Sequence, residues 1–64
     1  MYAVVGAMGH GEIKIVNKKT GETVAEYVVN GIVTFDGIYK GDILIVTSGN
    51  VEPIIVPWVL YNVG

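Results

Sequence analysis

His10 is the only imidazole in the chain, and Glu12 stands two residues beyond it, a spacing that puts both on one face of a strand. Such a pair could move a proton near neutral pH. Acid–base work also needs a nucleophile and a group that stabilises developing charge. Ser48 is the only serine, and nothing near it in the sequence suggests an oxyanion site, so His10 is expected to be a solvent-facing loop residue. Gly6-Ala7-Met8-Gly9-His10-Gly11 follows an apolar strand, as phosphate-binding glycine loops do. Those loops work through a helix that aims its first N–H groups at the anion, whereas Glu12 to Val16 alternates like a strand. The spacing fits neither dinucleotide nor P-loop patterns, and a flexible or bulged connection is expected. Asp36 and Asp42 flank Tyr39 and Lys40, but a hard cation needs several convergent oxygens, and Asp before Gly is ordinary turn chemistry. Without Cys, a thiolate zinc site is excluded. The expectation is therefore no catalytic, cofactor-binding or metal-ligating residue, no cofactor, and no enzyme.

The residues suited to binding are apolar. Pro57-Trp58 lies in a segment rich in Ile, Val, Leu and Tyr, and Trp and Tyr dominate the energetics of interfaces. Tyr2, Val4, Ile55, Pro57, Trp58, Leu60 and Tyr61 are the expected interface residues. Trp58 could equally close the end of the chain's own barrel or sandwich.

Strands must position these groups. Twelve Val and eight Ile stand against two Leu in 64 residues. β-Branched side chains fit a pleated surface and lose rotamer freedom in a helix, which predicts an all-β chain. Turn signals recur every several residues, which predicts short hairpin-connected antiparallel strands in a small sandwich or barrel, completed by a neighbouring chain if a strand is lacking. Glu12-Ile13-Lys14-Ile15-Val16 alternates, burying Ile13 and Ile15. Asn17 to Gly21 turns the chain, with Lys18-Lys19 at a solvated tip, and pairs this strand with Glu22 to Val29. Asn30-Gly31 predicts a second hairpin, and Asp36-Gly37, Lys40-Gly41-Asp42 and Ser48-Gly49-Asn50 predict further turns. Ile43-Leu44-Ile45-Val46 is a continuous apolar run, predicted to be the central strand. Ile13, Ile15, Tyr27, Val29, Val33, Phe35, Ile43 and Ile45 are the expected core. One domain spans residues 1–64, with 51–64 as an edge strand or docking arm, because Pro53 and Pro57 lack the ladder N–H.

Composition narrows the partners. Four Lys, no Arg and six acidic residues give a net charge of −2, the wrong sign for gripping phosphate backbones, so nucleic acid is disfavoured. No window has the run of apolar residues that a spanning helix needs. The opening Met1-Tyr2-Ala3-Val4-Val5 lacks the basic region of a signal peptide, and the mature chain is expected to be the translated one. The compartment stays open, since a Cys-free chain suits a reducing cytosol and also a disulfide-free virion or extracellular assembly.

Gly11 to Val16, Thr20-Gly21-Glu22-Thr23-Val24, and Thr34 to Val46 together resemble the prealbumin-like β-sandwich domains, which include carboxypeptidase regulatory-like and collagen-adhesin B-type repeats. The likeness covers about half the chain and lies in turn and strand residues. It implies a scaffolding module of surface proteins or fibres. Adhesin repeats often join a first-strand Lys to a late Asn with the help of a Glu. Lys14 and Asn62 match in type, but Thr47 stands about where the Glu would be, and no crosslink is expected.

A 64-residue domain has too little interior for 52% hydrophobic residues, and its single core supplies only about 3–5 kcal/mol. With no disulfide or metal to help, oligomerisation is the remaining stabiliser. The expected function is a structural subunit that self-assembles or docks on a larger particle, such as a virion coat or decoration protein, a filament or a sheath. The alternative is a small SH3-like or OB-like module that binds a peptide or nucleic acid through exposed aromatics, among them Trp58 and Tyr39.

Overall fold

The structure is a computed structural model that describes residues 2–57. It is all-β and antiparallel, with three long strands in one open sheet: β1 (Tyr2–Asn17), β2 (Thr23–Lys40) and β3 (Ile43–Pro57), in the order β2-β1-β3. The first hairpin, closed by the Gly21 N–H donating to the Asn17 carbonyl at 2.8 Å, forms where Asn17 to Gly21 predicted it. Lys40-Gly41-Asp42 also turns the chain, between β2 and β3.

The connection between β2 and β3 dictates the shape. Lys40 pairs with Ala3 at the start of β1, and Ile43 pairs with Asn17 at its end. Only Gly41 and Asp42 lie between them, and three Cα steps reach about 11 Å at most. A straight strand from Ala3 to Asn17 would measure roughly 46 Å. The sheet must therefore coil until the two ends of β1 come together, which agrees with a longest dimension of 34 Å. The Lys18 N–H donates to the Asp42 carbonyl at 2.9 Å, tying the hairpin tip to this joint.

Two irregularities allow the coil. At Val5, β1 carries one residue that is unpaired in register, while opposite it β2 runs through Phe35, Asp36, Gly37 and Ile38 between its pairings of Thr34 and Tyr39. Such bulges bend strands and increase twist. The second is a band of glycines across the sheet, where Gly9 faces Gly31 on one side and Gly11 faces Gly49 on the other. Gly9 and Gly11 have φ of 119° and 151°, and a Cβ on either would run into the carbonyl of Asn50 or Ser48 on β3. Only glycine lets the backbones approach this closely.

The concave face holds the core. Val4, Ala7, Ile13, Ile15, Val29, Phe35 and Val51 are buried, and Ala25, Tyr27, Val33, Tyr39, Ile43 and Ile45 pack against them half-buried. All eight expected core residues belong to this set, although Tyr27, Val33, Ile43 and Ile45 are only half-buried. Phe35 stacks on Tyr27, with ring centroids 4.3 Å apart, and meets the edge of Tyr39 at 5.8 Å.

Several sequence expectations need correction. The central strand is β1, not Ile43 to Val46, which lies on the edge strand β3 and leaves Leu44 and Val46 exposed. β1 takes the centre because small residues at its middle let strands approach from both sides. Gly6–Gly11, Asn30-Gly31, Asp36-Gly37 and Ser48-Gly49-Asn50 are not turns but parts of the three strands. Three of these segments line up, since His10 pairs with both Asn30 and Asn50. Ladders on both sides of β1 hold the backbone extended where local preference favours a turn, and the glycines bend the sheet instead of reversing it. Three long strands thus replace the many short ones.

Candidate interaction surface

Alternation along β1 sends Ile13 and Ile15 inward and Met8, His10, Glu12 and Lys14 outward. Pairing extends these outward positions into rows across the convex face: Ile32, Met8 and Glu52; Asn30, His10 and Asn50; Val28, Glu12 and Ser48; Glu26, Lys14 and Val46. The row of Asn30, His10 and Asn50 is wholly polar, and each of the other three mixes apolar and polar residues. On β2, Val28 is 75% exposed and Ile32 70% exposed, with Val24 continuing the same line. On β3, Leu44 and Val46 do likewise. An open concavity of about 380 Å³ lies over Met8, Ile32, His10 and Glu52.

His10 and Glu12 share this face, as their spacing on a strand implied, and Ser48, which nothing in the sequence tied to them, lies on it too. Glu12 sits directly opposite Ser48. Yet the His10 ring nitrogen Nδ1 lies 3.1 Å from Asn30 Oδ1 and is directed away from Ser48. No hydrogen bond among the described residues joins the three into a relay. Asp42 pairs with Lys19 at 3.1 Å at the hairpin tip, while Asp36 lies on the irregular stretch of β2. No three His, Cys, Asp or Glu gather as metal ligands among the described residues.

The expected interface residues divide. Tyr2 pairs with Pro57 and Val4 with Ile55, which gathers four of them at one end of the sheet. Tyr2, Ile55 and Pro57 are exposed there. Val4, by contrast, is 2% exposed and part of the chain's own core, because the bulge beside it turns its side chain inward. Trp58, Leu60, Tyr61 and Asn62 lie outside the described residues. Tyr39, which with Trp58 was to be an exposed aromatic of a binding module, is half-buried. Its hydroxyl lies 3.3 Å from that of Tyr27, and this hydrogen bond, followed by burial, holds its phenol above the ordinary range.

Sequence reasoning missed Met8, Val24, Val28, Ile32, Leu44 and Val46. The signal was present in Val24 to Val33, where apolar residues occupy both parities and so must load both faces of one strand.

The backbone offers a second feature. Neither β2 nor β3 has a partner on its outer side among the described residues. Edge strands are usually protected by Lys, Pro or bulges. β3 carries Pro53 and Pro57, but β2 from Thr23 to Thr34 has no proline and a single charge, Glu26. That carboxylate lies 3.5 Å from Lys14 Nζ. No helix of the described residues is long and apolar enough to cross a membrane. No protein-family model, curated protein or solved structure matches the chain.

Proposed function

We infer that this chain is a structural subunit whose task is assembly, with copies of itself or on the surface of a larger particle such as a coat, filament or sheath. One observation carries the reading. Nine large hydrophobic residues are exposed among the described residues, while six, Val4, Ile13, Ile15, Val29, Phe35 and Val51, are buried. Scattered apolar residues are ordinary on a protein surface, but here the large ones exposed outnumber those buried, and Met8 beside Ile32 and Leu44 beside Val46 form small apolar patches of the kind that mark interfaces. The two sheet edges, unpaired among the described residues, add main-chain hydrogen-bonding groups to the same surfaces. Convex-face carboxylates at Glu12, Glu26 and Glu52, with a net charge of −2, favour a protein partner over a nucleic acid.

Sedimentation of the purified chain across a dilution series tests the reading. The expected result is a mass well above that of one chain at micromolar concentration, falling on dilution. A soluble monomer throughout would overturn self-assembly. If that monomer also showed no affinity for any protein partner, docking on a particle would fall with it.

A further inference from the structure

We propose that β2 is a two-fold self-pairing edge, joining two copies antiparallel about Val28 into one continuous six-stranded sheet. This rests on the assembly reading and specifies its first contact. The occupant is a second copy because the β2 sequence is complementary to itself in one register. Pairing that keeps convex side chains on one side must match even-numbered residues with even-numbered ones. With Val28 on the axis, Val28 faces Val28 and Val24 faces Ile32 at both ends, so the three exposed apolar residues of the strand before its bulge all meet apolar partners.

Charge selects the same register. Glu26 then faces Asn30, whose Oδ1 already engages His10 at 3.1 Å, leaving the amide N–H₂ to donate to the carboxylate of the second copy. A register centred on Glu26 would oppose two carboxylates, which destabilises a cross-strand pair. One centred on Asn30 would set Val24 against Asp36. The concave side also fits, since Tyr27 would face Val29 and Ala25 would face Gly31 without a steric conflict between large side chains. β3 is the poorer edge, because Pro53 and Pro57 supply no N–H. The bulged stretch from Phe35 to Ile38 ends the straight part of β2 and limits the pairing to the segment before it.

The absence of cysteine allows a direct test. Residues directly opposite in an antiparallel pair have Cα atoms about 4.5–5.5 Å apart, within disulfide range. Val28→Cys should therefore cross-link to its own copy under mild oxidation. Val24→Cys and Ile32→Cys should each fail alone and cross-link when mixed. A registered thiol pair has an effective concentration of about millimolar or more, so at roughly 10 µM chain the yield rate should exceed random collision on the order of 100-fold. All three positions are exposed, so the variants should fold as the wild type does. An oligomeric wild type in which Val28→Cys cross-links no faster than Val24→Cys would overturn the β2 pairing and leave the assembly reading standing. A wild type that sediments as a monomer at every concentration, with no preferential cross-linking, would overturn the β2 pairing together with self-assembly, leaving only docking on another protein.

Discussion

The hydroxyl oxygens of Tyr27 and Tyr39 lie 3.3 Å apart although the residues are twelve positions apart on one strand. Extended, that stretch would span about 40 Å. Tyr27 pairs with Ile13 and Tyr39 with Val4, so the contact brings together side chains from opposite ends of the ladder. Phe35 fills the space between them, stacked on one ring and edge-on to the other. The aromatic cluster is thus the inner lining of the coil. A single sheet with no second layer obtains a core by folding its two halves around these rings.

This cluster makes stability sensitive to alkali. The Tyr27 hydrogen bond, then burial, raises the Tyr39 pKa above its ordinary value of about 10. The folded state therefore keeps the proton at a pH where the unfolded chain has lost it. The contribution is complete below about pH 10 and disappears as pH rises through the folded value. Urea unfolding followed from pH 8 upward should show stability falling above about pH 10 in the wild type, with a shallower fall in Tyr39→Phe. Equal slopes in the two proteins would show that the phenol contact contributes nothing to folding.

Gly9 and Gly11 should tolerate no side chain. A Cβ at either meets a β3 carbonyl, and both have a backbone angle that L-residues adopt with strain. Gly9→Ala and Gly11→Ala should each destabilise by about 2–4 kcal/mol, combining local strain with a displaced strand. Gly37→Ala is the control, since nothing lies within 4 Å of its Cβ position and its φ is ordinary. It should shift the unfolding midpoint little or upward. Equal effects at all three would remove the glycine band as the site that permits coiling.

The same glycines explain how much the sequence discloses. Val and Ile enrichment, the alternation through Ile13 and Ile15 and the Asn17–Gly21 hairpin lead to an all-β fold with the right inner residues. Asn30-Gly31 and Ser48-Gly49-Asn50 misled because each has the local chemistry of a turn. Their role appears only when the register sets both beside His10. Pairing between distant segments is a non-local property, and one residue of slip would exchange the two faces. Val4 misled for a related reason, since the bulge at Val5 reverses parity. The exposed line Val24, Val28 and Ile32 was readable as apolar, but its outward direction follows from the burial of Val29 and the half-burial of Tyr27 opposite Ile13.

Ile13→Ala should unfold the isolated chain. Ile13 is fully buried on the central strand β1, and truncation of such a residue costs about 2–5 kcal/mol. A single small core holds about 3–5 kcal/mol in total. Circular dichroism of Ile13→Ala at 25 °C should therefore show loss of the native signal, whereas Val28→Ser should keep it because Val28 is 75% exposed. A well-folded Ile13→Ala would mean that the core carries less of the stability than its burial indicates.

The joint that closes the coil should depend on Asn17 more than on the nearby ion pair. Asn17 Oδ1 accepts from the N–H of Lys19 at 2.9 Å and of Thr20 at 3.2 Å, while the Asn17 N–H donates to the Glu22 carbonyl at 2.7 Å. The side chain fixes the turn that presents the Lys18 N–H to Asp42. Asn17→Ala should cost about 1 kcal/mol, as the loss of a local side-chain acceptor does, and Asn17→Asp should be tolerated because its carboxylate still accepts. Lys19 and Asp42 are close, at 3.1 Å, but their side chains are 77% and 62% exposed. Surface pairs of this kind contribute about 0–1 kcal/mol, so Asp42→Asn should change the unfolding midpoint little and the difference should vanish at 1 M salt. If Asp42→Asn instead destabilised more than Asn17→Ala, charge rather than backbone direction would be what holds the two ends of β1 together.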